Sequence, residues 1–112
     1  MLNAINQYRV KYSKSPLYEI NHLVSEYCRL HCWAMIRHGD LYHAPACYLD
    51  GWEEIVALCD VHPNWDIVES RLLYDCIDSS IEHKSLLLNA RQIAYSIVVC
   101  QYKVYLTIRT KP

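Results

Sequence analysis

Glycine and proline are scarce in this chain. Two glycines, Gly39 and Gly51, and four prolines among 112 residues leave few tight turns, which excludes a many-stranded sandwich or barrel and predicts that helices dominate. Phenylalanine is absent; ten tyrosines and three tryptophans carry the aromatic content, and these rings keep a polar atom for a boundary. No stretch reaches 18 uninterrupted apolar residues, so no membrane partner is expected. The opening MLNAINQYRVKYSKSP lacks the apolar core of a secretory signal. Cysteine, at six residues, falls below the roughly 8–10% that marks a disulfide scaffold. Reduced thiols and a cytoplasmic, reducing location follow as expectations. Catalytic signatures are missing as well: there is no Gly-x-Ser-x-Gly elbow, no Gly-rich phosphate loop and no His-Glu-x-x-His helix. The expectation is a protein that is not an enzyme and needs no cofactor, with zinc as the one exception weighed below.

Acids are missing from both ends. All twelve lie between Glu19 and Glu82, so residues 1–18 carry Arg9, Lys11 and Lys14 unopposed, and residues 83–112 carry Lys84, Arg91, Lys103, Arg109 and Lys111 unopposed. The net charge of -1 therefore conceals a basic, acidic, basic layout. What is present, 53% apolar and 21% charged residues, suits one compact globular domain over 1–112.

Residues 7–13 alternate, with Tyr8, Val10 and Tyr12 opposite Arg9, Lys11 and Ser13, which predicts a strand. Ser15 before Pro16 reads as a helix start, and Ile20, Leu23, Val24, Tyr27, His31 and Ala34 share one face, so a helix is predicted over 16–38. Residues 40–49 contain Pro45 and no period, and read as a loop. Asp50 ahead of Glu53, with Trp52, Ile55, Val56 and Cys59 as a stripe, predicts a short helix over 51–61, closed by His62 and Pro63. Asn64 caps a third helix bearing Trp65, Val68, Leu72, Cys76 and Ile77, and Ser79 with Glu82 opens a fourth through Leu86, Leu87, Ala90, Ile93 and Ala94. Residues 98–109 alternate and are rich in β-branched side chains, predicting a strand. The resulting class is α+β: about four helices with a small antiparallel sheet formed by the N- and C-terminal strands. An all-α bundle with a long C-terminal helix is the alternative. A long strand beside a short one leaves an exposed edge through which a homodimer could form.

The acidic middle supplies the main functional expectation. Trp52, Glu53, Glu54, Trp65, Glu69, Asp75 and Asp78 fall on predicted helix surfaces and suit docking on a protein partner with a basic surface, with aromatic anchors and charge-assisted encounter. A chain this short without a catalytic motif fits an accessory or inhibitory factor of the kind phages and mobile elements carry. The alternative is a nucleic-acid-binding module, using Arg9, Lys11, Lys103, Tyr105 and Arg109 on the polar faces of the two strands. A second alternative is a small structural zinc domain. Cys28 and Cys32 stand four apart on one helix, and Cys59 and His62 three apart at the end of another, two half-sites of the type a tetrahedral zinc takes. Arg37-His38-Gly39 resembles the Arg-His-Gly signature of the histidine phosphatase superfamily. In that superfamily the histidine accepts a phosphoryl group, arginines bind it, and a larger α/β domain supplies a second histidine and arginine. Here the same three residues also read as the last turn of a helix with Gly39 as its C-cap.

Overall fold

The computed structural model describes all of Met1–Pro112. Its elements run α1 (Leu2–Lys11), α2 (His22–His38), a single 3-10 turn (Ala46–Tyr48), β1 (Glu53–Asp60), α3 (Trp65–Ser70) continuing as a π-helical turn (Arg71–Ile77), α4 (Ile81–Leu88), β2 (Gln92–Cys100) and β3 (Lys103–Lys111). The three strands form one antiparallel sheet in the order β1-β3-β2. The class is α+β with four helices and a small antiparallel sheet, as the sequence predicts. No helix is long and apolar enough to cross a membrane.

Which segments make the sheet differs from expectation. Residues 7–13 form no strand. The spacing Ala4, Ile5, Tyr8, Tyr12 is helical, and α1 lays Ile5 and Tyr8, both fully buried, into the core. Residues 51–61 are not helical either. Ile55, Ala57 and Cys59 face one side of β1 while Glu54, Val56 and Leu58 face the other, and both faces are covered, which hides the alternation. The fourth helix starts from Ser80, whose side chain accepts the His83 N–H, and ends at Leu88. Ile93 and Ala94 belong to β2. The C-terminal segment is extended, but it is a hairpin: Gln101 and Tyr102, both at positive φ (48° and 68°), turn β2 into β3. β1 and β2 are then the edge strands, and β3 lies between them.

Helices cover both faces of the sheet. On one side Ile5, Tyr8, Val68, Leu72, Leu73, Ile77 and Leu87 from α1, α3, the π turn and α4 close over Ile55, Ala57, Ile93, Val104, Leu106 and Ile108. Each leucine, isoleucine or valine among them contributes roughly 1.5–3 kcal/mol when fully buried. The π turn, in which Asp78 N–H reaches the Leu73 carbonyl at 2.7 Å, points Leu72, Leu73 and Ile77 inward together. It also presents the Asp78 carboxylate to the hydroxyls of Tyr8 (2.9 Å) and Tyr12 (2.7 Å), tying α1 to the core.

The opposite face belongs to α2. Its start is Asn21, which accepts the Val24 N–H and donates its own N–H to the Ile93 carbonyl, so residues 16–21 are not helical as expected. Cys28, His31, Cys32 and Met35 are the buried stripe, one step round from the predicted face, and Leu23 and Tyr27 are left exposed. Gly39 closes the helix at φ 66°, the left-handed C-cap that any side chain beyond glycine resists.

Candidate functional site

Glu54 and Arg109 are directly opposite on β1 and β3, on the face covered by α2. The two side chains are 1% and 4% exposed. Arg109 Nε–H donates to Glu54 Oε2 at 3.1 Å. The other carboxylate oxygen accepts the Ala44 N–H at 2.8 Å and faces His43 Nδ1 at 3.2 Å, with His31 Nε2 3.8 Å away. A carboxylate this deep is stable only if neutralised and hydrogen-bonded, and Arg109 of β3 and the Ala44 backbone N–H supply both.

This arrangement positions a loop. Glu54 holds Ala44, and His31 Nε2–H donates to the Tyr42 carbonyl at 2.6 Å. The Tyr42 ring stands edge-on to His31 (5.2 Å) and to His38 (5.8 Å). Residues 42–50 are thus fastened to α2 and to the sheet, and the space left between loop and helix is an open cleft of about 580 Å³. Tyr27 and Leu30 of α2 form one wall, Tyr42, Tyr48 and Asp50 the other, and Arg109 lies at the floor. Tyr48 is 72% exposed and Tyr27 48%. The charge at the floor is cancelled by Glu54, whereas Asp50 at the rim has no ionic partner. The cleft is aromatic, with one uncompensated negative charge.

The residues predicted to dock a partner do not form a common surface. Trp52 is 7% exposed beneath the Lys111 ammonium, and Glu54 is buried in its ion pair. Glu69 meets the N-terminal ammonium at 3.1 Å, and Asp78 is taken by Tyr8, Tyr12 and Lys84. Glu53 is exposed on β1; Trp65 and Asp75 are exposed at the start of α3 and in the π turn. The basic strand face is likewise absent. Arg9 and Arg109 are buried, Lys103 pairs with Asp60, Lys11 lies over the Tyr74 ring, and Tyr105 is half-buried on the α2 side. The zinc half-sites are on opposite faces of the sheet. Cys28 and Cys32 sit beneath α2, where the Cys32 thiol contacts Thr107 Oγ1 at 3.2 Å, while Cys59 packs into the larger core and His62 Nδ1 accepts the Asn64 N–H. No group of three His, Cys, Asp or Glu side chains converges as a metal site.

Sequence reasoning missed Tyr27, Tyr42, Tyr48 and Asp50. Two signals pointed toward them: a long aperiodic loop between elements, which is commonly functional, and a glutamate beside the otherwise apolar run Ile55–Cys59, whose carboxylate needed a partner.

No family model and no curated protein matches the chain. Among solved structures it is similar to an outer surface protein from Borrelia burgdorferi, with a TM-score of 0.65 and 13% identity over 98% of this chain and 88% of that one. The likeness shows a shared fold. This neighbour is an outer surface protein, which overturns the expectation of a cytoplasmic, reducing location drawn from cysteine content.

Proposed function

We propose that the protein is a non-enzymatic interaction module for a basic protein partner, and that its recognition element is the cleft between α2 and the 42–50 loop. The observation that carries this reading is the pairing of three tyrosines with an unpartnered carboxylate, Asp50, over a floor whose only cation is already neutralised. Tyrosine faces attract a lysine ammonium or arginine guanidinium by about 0.5–2 kcal/mol each, more as water is excluded. A nearby carboxylate adds charge complementarity and speeds encounter. Tyrosines at the centre of a contact also fit the residue types that dominate binding energy at protein interfaces. The occupant is thus a lysine or arginine side chain presented by a partner's surface, and the outer-surface neighbour favours an encounter outside the cytoplasm.

The test is a titration with a short arginine- and lysine-containing peptide, following the tyrosine ring resonances by NMR. Saturable shifts confined to Tyr27, Tyr42 and Tyr48, abolished by Tyr48→Ala and weakened several-fold by Asp50→Asn, are expected. Equal binding of an acidic peptide, or shifts indifferent to both substitutions, would overturn the reading.

A further inference from the structure

A second pocket lies at the C-terminal ends of α1 and α4, away from the tyrosine cleft. It has a volume of about 440 Å³, and its charged lining consists of Arg9, Lys14 and Arg91, with no acid among the lining residues. None of the three cations takes part in an ion pair. Arg9 is the unusual one. It is 4% exposed, yet its partners are all neutral: Nε–H donates to the Ser15 carbonyl at 2.9 Å, and Nη1 donates to the carbonyls of Leu87 (2.6 Å) and Leu88 (3.3 Å).

The Leu87 and Leu88 carbonyls close the last turn of α4, so they satisfy donors and offset the charge in part, but they supply no counter-ion. Burial pulls the Arg9 pKa down from its ordinary value, but a guanidinium stays protonated at neutral pH, so a positive charge is enclosed here without a counter-ion. The chain's other buried guanidinium, Arg109, has Glu54 for that purpose. Nη2 of Arg9 has no protein acceptor, and Lys14 and Arg91 are exposed side chains at the same pocket. A planar fork fixed on two of its nitrogens and free on the third is a pre-positioned donor for an oxyanion.

We infer that this pocket binds a phosphate group, free or as the monoester of a small molecule, with Arg9 Nη2 as the fixed donor and Lys14 and Arg91 closing over it. A dianion matches three uncompensated cations better than a monoanionic carboxylate does. The volume exceeds that of one phosphate, leaving room for the organic portion of a monoester. Ser15 and Asn89 line the same space; the Asn89 amide already donates one hydrogen to Ser85 Oγ at 3.1 Å, which leaves its second N–H and the exposed Ser15 hydroxyl to complete the oxygen contacts.

The experiment is an amide-resolved NMR titration with inorganic phosphate against sodium chloride of equal ionic strength, repeated with O-phosphoserine. Saturable shifts at Ser15, Ala90 and Arg91 with phosphate and not with chloride are expected, weakened about tenfold by Lys14→Ala and by Arg91→Ala and unchanged in Lys103→Ala. Both substitutions are at exposed side chains, so the fold is retained, which circular dichroism checks. Tighter binding of O-phosphoserine assigns the monoester as the source, and equal binding assigns free phosphate. Shifts that rise linearly without saturating, or that survive in the Lys14→Ala/Arg91→Ala double variant, overturn the inference. The tyrosine cleft is a separate matter: Asp50→Asn leaves this titration unchanged.

Discussion

Replacing Glu54 by Gln should unfold the protein more readily than any surface change of similar size. The glutamine keeps the shape and can still accept the Ala44 N–H, but the Arg109 guanidinium, 4% exposed, loses its only counter-charge. Removing one partner of a buried pair costs about 3–5 kcal/mol, against a total stability of about 5–15 kcal/mol for a domain. For a chain of this length that is a fall in Tm on the order of 15 °C. Arg109→Leu should cost a similar amount, because it strands the carboxylate instead. Removing both, in Glu54→Leu with Arg109→Leu, leaves the Ala44 N–H without an acceptor at a cost of about 1–3 kcal/mol, yet ends nearer to wild type than either single variant. Urea denaturation followed by circular dichroism gives the three values, and the double-mutant cycle isolates the coupling. Single variants that each lose less than about 1 kcal/mol, the upper end for an exposed pair, or a double variant that loses the sum of the two, would refute the account of this pair. The same cycle bears on the cleft, since Glu54 holds Ala44 and with it the loop carrying Tyr48 and Asp50.

The class of the fold was legible in the sequence, while three of its elements were not, and each miss has a physical cause. In α1 the alternation Tyr8, Val10, Tyr12 competes with the helical spacing Ile5, Tyr8, Tyr12, and the core selected the helix because Ile5 and Tyr8 fill one space beside Leu72 and Ile77. β1 is covered on both faces, so its apolar residues do not alternate, and Trp52, Ile55, Val56 and Cys59 mimic a helical stripe. The β2-β3 hairpin turns at Gln-Tyr, which lacks the Asn-Gly signal that a two-residue turn with two positive φ values favours. The site suffered from the same errors. Once 51–61 is read as a helix, Glu53, Glu54 and Trp52 become surface groups, whereas in a covered sheet Glu54 becomes the anchor of an ion pair. Cysteine pairs spaced for zinc were spaced for packing: burial under α2 pushes the Cys28 thiol up to about 12, which disfavours the thiolate a metal takes.

Gln101→Asn with Tyr102→Gly should raise stability by about 1–2 kcal/mol, because both positions lie at positive φ, where ordinary side chains are strained; a Tm that stays level or falls contradicts the turn geometry. Stability should also hold a plateau between two titrating limbs. On the acid side, hydrogen bonds from Tyr12 and Tyr8 hold the Asp78 carboxyl below its ordinary value of 3.8, so its contribution is present above that pH and is lost as pH falls through the lowered folded value. On the alkaline side, burial first and Asp78 second raise the Tyr8 phenol above its ordinary 10.0. A raised folded pKa means that the native state keeps its proton while the unfolded chain releases one, so this contribution is complete below about pH 10 and erodes above it. Cys28, raised from 9.0, erodes in the same direction from about pH 9. Tyr8→Phe removes the phenol from one limb and a donor to Asp78 from the other, so Tm measured from about pH 3 to about pH 11 should show both limbs shallower in the variant. If both slopes survive the substitution, the Tyr8–Asp78 contact does not couple α1 to the π turn.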